Sequence, residues 1–150
     1  MIEPANFTNT TPRHNLPFLF AGQSQKEFTV NEALARIDLL LHVAVAGEVN
    51  QPPAESAPGT CYLVGDLPTG PFAGHAAEIT GWDGQQWTFA KPNQGMRVKD
   101  LSSGQICFYE DGWQRLAAPP APSGGSTIDT EARQALSDLC AILRTYGLFS

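Results

Sequence analysis

The chain has 150 residues, the size of one ordinary domain. Nine Lys and Arg stand against 15 Asp and Glu, a formal net charge of −6, and no three basic residues cluster, so neutralisation of a phosphate backbone cannot drive binding and nucleic acid is excluded as a partner. Charged residues are only 16% of the chain against about 25% in a typical soluble protein, and 14 glycines with 12 prolines favour short strands and turns.

The start of the chain has no basic stretch followed by an apolar run, and no segment reaches the roughly 18 apolar residues of a membrane span, so neither secretion nor membrane insertion is expected and synthesis in the cytoplasm is. The opening stretch to residue 20 is polar, punctuated by Pro4, Pro12 and Pro17, and turns apolar at residues 16–20; it reads as an extended arm lying across a surface. Next comes Ala21-Gly22-Gln23-Ser24-Gln25-Lys26-Glu27, whose side chains suit a polar clamp formed by Gln23, Gln25, Lys26, Glu27, Asn31 and Glu32 that satisfies backbone groups of the arm and the helix start. Thr29 and Glu32 have the spacing of a capping box, which predicts a helix from about residue 29 to residue 41 or 42. Val30, Leu34, Ile37, Leu40 and Leu41 form its apolar stripe and are expected to face the core.

From Gly59 onward turn signals recur every eight to twelve residues, as in an antiparallel meander. Strands are predicted at residues 61–64, 79–82, 86–90, 96–100, 105–109 and 113–116, with turns at Asp83-Gly84, Ser102-Ser103-Gly104 and Asp111-Gly112. Residues 117–126, AAPPAPSGGS, form a linker stiffened by Pro in its first half and loosened by Gly and Ser in its second. A final helix follows, with a capping box at Ser126-Thr127-Ile128-Asp129 and a left-handed stop at Gly147. Ile128, Ala132, Ala135, Leu139, Ile142 and Tyr146 repeat in steps of four and three, a heptad seam, with Leu136, Cys140 and Leu143 beside it. Such a face must be covered, either by the chain's own β domain or by helices of neighbouring subunits. The predicted fold class is therefore α+β, mainly β: residues 1–116 as an N-terminal arm and helix packed on a small antiparallel meander, residues 117–126 as a Pro/Gly linker, and residues 127–150 as a helix for docking or oligomerisation.

The chemistry the sequence offers is aromatic. Trp82-Asp83-Gly84-Gln85-Gln86-Trp87 and Tyr109-Glu110-Asp111-Gly112-Trp113 share one plan: an aromatic, an acidic-Gly turn, an aromatic. Paired rings beside a turn either stabilise the hairpin across its strands or form a platform for the flat apolar faces of sugars. In the second case Trp82, Trp87, Tyr109 and Trp113 stack and Asp83, Gln86 and Asp111 bond hydroxyls. Cys61, Cys107 and Cys140 lie far apart without metal-ligand spacing and read as free, packed thiols; no metal and no cofactor is expected. A Cys61 or Cys107 nucleophile would need His75 beside it, and no motif supports that, so the chain is not expected to be an enzyme. Glu110 and Asp111 are adjacent in a turn and read as solvated turn residues.

The runs TPRHNLPFLFAGQSQKEFTVNEALARID, PPAESAPGTCYLVGDLPTGPFAGHAAEITGWDGQQWTFAKPNQGMRVKD and FYEDGWQRL resemble an uncharacterised phage-associated domain family of alphaproteobacterial prophages and gene transfer agents, over residues 11–116. The most specific matches are Ala21-Gly22-Gln23, Gln25-Lys26-Glu27, Asn31-Glu32-Ala33-Leu34, residues 59–65, residues 70–75 and Gly95-Met96-Arg97-Val98; Phe72 departs from the pattern by standing where Trp is common. The resemblance implies a structural component of a phage-like particle, a tail fibre or head spike, attached to host cell-surface polysaccharide and located in the virion. It implies a homo-oligomer, a trimer by preference, with other virion structural proteins as partners, and it brings no catalytic residues. The alternatives are a structural adaptor or oligomerisation module without a ligand and, with less support, a polysaccharide hydrolase.

Overall fold

The computed structural model describes residues 11–14, 16, 18, 19 and 26–149; the side chains of residues 26–29 lie outside that description. Helix α1 (Lys26–Leu40) starts within the polar segment, before the expected capping box, so Thr29 sits inside its first turn. The Glu32 carboxylate consequently does not serve a cap and pairs instead with Arg36 one turn on, at 2.8 Å. The helix also turns the predicted stripe outward. Val30, Ile37, Leu40 and Leu41 are exposed, whereas Asn31, Asp38 and Leu39 are buried.

The arm explains this reversal. Thr11 Oγ1 and the backbone N–H groups of Arg13 and His14 all donate to the Asp38 carboxylate, at 2.7–3.1 Å. The Arg13 guanidinium donates to the carbonyls of Asp38, Leu39 and His42, and His14 Nε2 meets the Leu41 carbonyl at 3.0 Å. One short segment thus satisfies the open carbonyls at the helix C-terminus and places positive charge where the helix dipole favours it. Further up, the Asn31 side-chain amide both accepts from Leu19 N–H (2.9 Å) and donates to Leu19 C=O (3.1 Å), and Phe18 is buried. Covering the arm requires a polar helix face, so hydrophobic periodicity picks the wrong side.

Eight strands follow, β1 (Ala44–Val45), β2 (Glu48–Val49), β3 (Cys61–Val64), β4 (Ile79–Trp82), β5 (Trp87–Ala90), β6 (Arg97–Asp100), β7 (Ile106–Tyr109) and β8 (Trp113–Gln114). They form two mixed four-stranded sheets, ordered β1-β6-β7-β8 and β2-β3-β4-β5. A purely antiparallel meander is therefore corrected: β1 pairs parallel with β6 and β2 parallel with β3. Residues 44–49 edge the first sheet, bend at Ala46 and then edge the second. Two-residue strands have no alternation to read, so only their partners' free edges specify them. Each sheet accordingly repeats one plan, a short parallel edge strand followed by three antiparallel strands.

The core lies between the sheets and α1: Leu39, Val43, Val45, Cys61, Leu63, Ile79, Ala90, Val98 and Cys107, with Met96 and Trp113 packed against it. Gly81 shows how tightly α1 sits, since a Cβ there would meet Leu39 Cδ1 at 2.9 Å. The three cysteines are free, Cys61 and Cys107 being buried. Burial pushes both buried thiols up, out of the range of ready thiolate formation.

After residues 117–126, which have no regular structure, comes α2 (Thr130–Thr145). Its cap is Asp129, which accepts from Ala132 N–H at 2.8 Å; the expected box beginning at Ser126 does not form because the helix starts after it. Its end is a Schellman motif, with Leu148 N–H on Leu143 C=O and Gly147 N–H on Arg144 C=O. Gly147 is at φ +75°, and a Cβ there would lie 2.5 Å from the Gly104 carbonyl oxygen. That closeness anchors the tail: Ile106 N–H donates to Gly147 C=O, and Phe149 forms a parallel bridge with Leu116. The body of α2 buries no residue. Among the described residues no helix is long and apolar enough to cross a membrane.

Candidate functional site

Directly opposed residues on an antiparallel pair share a face, and the next residue along each strand takes the other. On β4 and β5 the register pairs Trp82 with Trp87 and Thr80 with Phe89; on β3 Tyr62 opposes Thr80. Ile79 and Ala90 are core residues and Gly81 faces Leu39, so the alternate set, Tyr62, Thr80, Trp82, Trp87 and Phe89, points away from the core. The sheet therefore has an aromatic outer face.

That face is not bare. A single 3-10 turn (Gly70–Phe72) drops Phe72 onto it, fully buried, edge-on to Trp87 (5.0 Å) and Phe89 (5.6 Å). Trp87 also meets Trp82 at 5.0 Å and Tyr62 at 6.0 Å. His75 stacks flat on Phe89 at 3.8 Å, and its Nδ1 bonds the largely buried Glu78 carboxylate at 2.9 Å. Around Phe72, the rings of Tyr62, Trp82, Trp87, Phe89 and His75 are all half-buried. Each ring keeps part of its surface exposed, and their mutual contacts make one aromatic cluster over Phe72.

The second aromatic hairpin is built the other way round. Tyr109 opposes Trp113 at 5.3 Å, but Cys107, two residues before Tyr109, is a core residue, so this pair lies on the inner face. Trp113 packs against the core and donates its Nε1–H to the Ala77 carbonyl at 2.9 Å, tying the first sheet to the loop that covers the outer face of the second. Ala77 itself adopts φ +60°, a left-handed conformation that an L-residue rarely takes.

The polar candidates are engaged locally. One Asp83 carboxylate oxygen accepts from the N–H groups of Gln85 and Gln86, at 2.7 and 2.8 Å, and so shapes the turn. Gly84 in that turn is at φ +105°, and a Cβ on it would press on Pro58 at 3.2 Å. Gln86 is exposed beside Trp87. Asp111 accepts from the Gln94 side chain at 2.8 Å on the far hairpin. Of the expected polar clamp, Asn31 holds the arm as described and Glu32 is an exposed partner of Arg36. Gln23 and Gln25 lie outside the described residues, as do the side chains of Lys26 and Glu27.

Two groups escape sequence reasoning. One is the arm cluster around Asp38, which no motif announces. The other is Asp100, buried at the end of β6, which accepts from Ser102 N–H, Ser102 Oγ and the Arg115 guanidinium, while Arg115 also reaches Glu48. Burial works to raise the Asp100 carboxyl, but the hydrogen bonds from Ser102, Arg115 and Ser103 outweigh it and hold it below the usual carboxylate range. Burial likewise works to lower Arg115, and its bonds to Asp100 and Glu48 outweigh that. This network fastens the turn after β6 to the chain leaving β8. The only sequence signal was Asp100 preceding Ser-Ser-Gly, an Asx-turn pattern.

Among the described residues no three His, Cys, Asp or Glu side chains converge as a metal-binding group, and His75 bonds Glu78 rather than a thiol. No curated protein sequence matches the chain. The profile of one family, described as a protein of unknown function (DUF2793), matches residues 30–114, which span α1, both sheets and both aromatic hairpins, and the chain belongs to that family.

Proposed function

We propose that the chain is a structural component of a phage-like particle, of the tail-fibre or spike kind, which attaches to host cell-surface polysaccharide through the outer aromatic face of the β2-β3-β4-β5 sheet. The observation supporting this reading is the partly exposed Trp82–Trp87 pair with its rings 5.0 Å apart, continued by Tyr62, Phe89 and His75 over a buried Phe72. Flat rings with few charges suit the apolar faces of neutral or weakly charged sugars, and Gln86 at the edge supplies an amide for hydroxyls. The resemblance of residues 11–116 to phage-associated domains supports the particle context. Tyr109 and Trp113 contribute through the scaffold in this reading, because their rings face inward.

A glycan array probed with the full chain, followed by binding to polysaccharide extracted from the host surface, tests it. Trp87→Ala and Trp82→Ala should each weaken binding at least tenfold while Trp113→Phe leaves it within about twofold. Retained binding by folded Trp82 and Trp87 variants removes this face from the site. A second reading, an adaptor without a ligand, is favoured by the ring contacts of Phe72 with Trp87 and Phe89, which give these aromatics a packing role of their own. Absence of any glycan binding by the wild-type chain would decide for it.

A further inference from the structure

Helix α2 is complete at both ends and buries none of its residues, although Arg133, Cys140 and Leu143 are partly covered. Asp129 caps it, the Schellman motif closes it, and residues 147–149 pin its last turn to β7 and to Leu116. Yet Leu136, Leu139, Ile142 and Tyr146 are 50–70% exposed, as is Ile128 just ahead of the helix at 59%. A helix at the end of a Pro/Gly linker does not keep such a face in water without something to cover it.

The pattern says what covers it. Within the helix, steps of three, four, three and four place Ala132, Leu139 and Tyr146 at heptad position a and Ala135 and Ile142 at position d, while Ile128, which continues the spacing in the sequence, lies ahead of the Asp129 cap. Leu136 and Leu143 then fall at e, widening the seam to the three-in-seven face of a bundle helix rather than the narrow two-in-seven seam of a dimeric zipper. Leu139 at a followed by Ile142 at d is the arrangement that shifts parallel coiled coils away from dimers towards three or four strands. Size agrees as well. At their exposures the large side chains leave roughly 80–100 Å² each to cover, so with the two alanines one face offers about 500 Å² and two copies about 1,000 Å², the lower limit for a specific interface, which a third copy exceeds.

We propose that α2 is the self-association surface of this protein, joining copies of the chain in a parallel, in-register bundle of more than two helices around Leu139 and Ile142. The occupant of the face is α2 of the neighbouring copies. Because residues 147–149 fix the helix to the β domain, the bundle holds several copies of that domain in a set relation. The inference stands on the helix alone and is independent of the glycan reading.

Light scattering and sedimentation of the full chain test it, with Leu139→Asp/Ile142→Asp as the paired variant; neither side chain is buried within one chain, so the β domain should keep its near-ultraviolet dichroism. The expected result is a mass of three or more subunits for the wild type and of one for the variant. A wild-type monomer or dimer overturns the proposal. So does an assembly that survives the double substitution, which would move the interface to another surface such as the exposed Val30, Ile37 and Leu40 of α1. As a second measurement, Ala135→Cys in a Cys140→Ser background should give disulfide-linked subunits on mild oxidation, since like positions meet in a parallel bundle. Failure to cross-link likewise overturns the in-register arrangement.

Discussion

The two aromatic hairpins start from nearly the same local sequence and end on opposite sides of the fold. Trp82 and Trp87 lie on the outer face of one sheet; Tyr109 and Trp113 lie on the inner face of the other. Turn chemistry does not separate them, for each has an acidic residue and a glycine between its rings. What separates them is phase. In β4 the residues one and three before the turn-side Trp82, Gly81 and Ile79, face the core, whereas in β7 it is Cys107, two before Tyr109, that does so. A shift of one residue relative to the buried set sends a whole pair to the other face. Pairing is thus a local property of a hairpin, and the face it presents is a property of the sheet behind it.

The largest expected effect concerns the ring beneath the outer pair. Phe72→Ala removes a fully buried aromatic that touches both Trp87 and Phe89, and should cost about 3–5 kcal/mol in urea unfolding. A cost below about 1 kcal/mol would mean that the outer cluster is loosely assembled and would break the claim that it is a built surface. Next comes the contrast between the hairpins themselves. Trp113→Ala should cost about 3 kcal/mol and Trp82→Ala about 1 kcal/mol, because the first ring packs on the core and the second lies on the outer face away from it. Trp113→Phe removes the bond to Ala77 together with part of the ring's packing and should cost about 1–2 kcal/mol. Equal losses for Trp82 and Trp113 would erase the distinction between the faces.

Acid should separate the sheets in a different way. Asp100 and Arg115 fasten the first sheet, and nothing of this kind is seen at the Trp82–Trp87 hairpin among the described residues. Since the folded Asp100 carboxyl is held below its unfolded value of about 3.9, its contribution is fully present above that value and is lost as pH falls through the ordinary carboxylate range towards the folded value. Asp100→Asn should therefore cost about 2 kcal/mol at neutral pH, where charge-assisted bonds are lost, and progressively less as pH falls below about 3.9. Urea midpoints followed from neutral pH down through the carboxylate range measure this; a parallel acid dependence in wild type and variant would refute it.

What the sequence allowed to be read follows the same division between local and remote causes. Strands β3 to β7 fall within a residue of their expected places because alternation and turn residues are local signals. The parallel strands β1 and β2 are two residues each and are specified by the edges they meet. The apolar stripe of α1 misled because Asn31 and Asp38, polar and buried, answer to an arm more than ten residues away. The candidate site was legible as ring pairs; Phe89 extends it by the alternation of β5, while Phe72 and His75 joined it through a loop fold that no spacing announces.

The smallest expected effect lies where the two hairpins meet. Ala77 takes φ +60° between its N–H bond to the Val64 carbonyl, which belongs to the second sheet, and its carbonyl bond from Trp113, which belongs to the first. A left-handed L-residue costs roughly 1–2 kcal/mol, and glycine relieves that at an entropic cost of about 0.5–1 kcal/mol. Ala77→Gly should therefore stabilise the chain by about 0.5 kcal/mol by thermal or urea unfolding, with both bonds retained. Combining it with Trp113→Phe asks whether the Trp113 bond is what holds the strain. If it is, the gain from glycine shrinks in the Phe background, because a released Ala77 relaxes on its own; if the gains simply add, the strained loop is held by the second sheet alone, and the inner hairpin has no part in positioning the outer face.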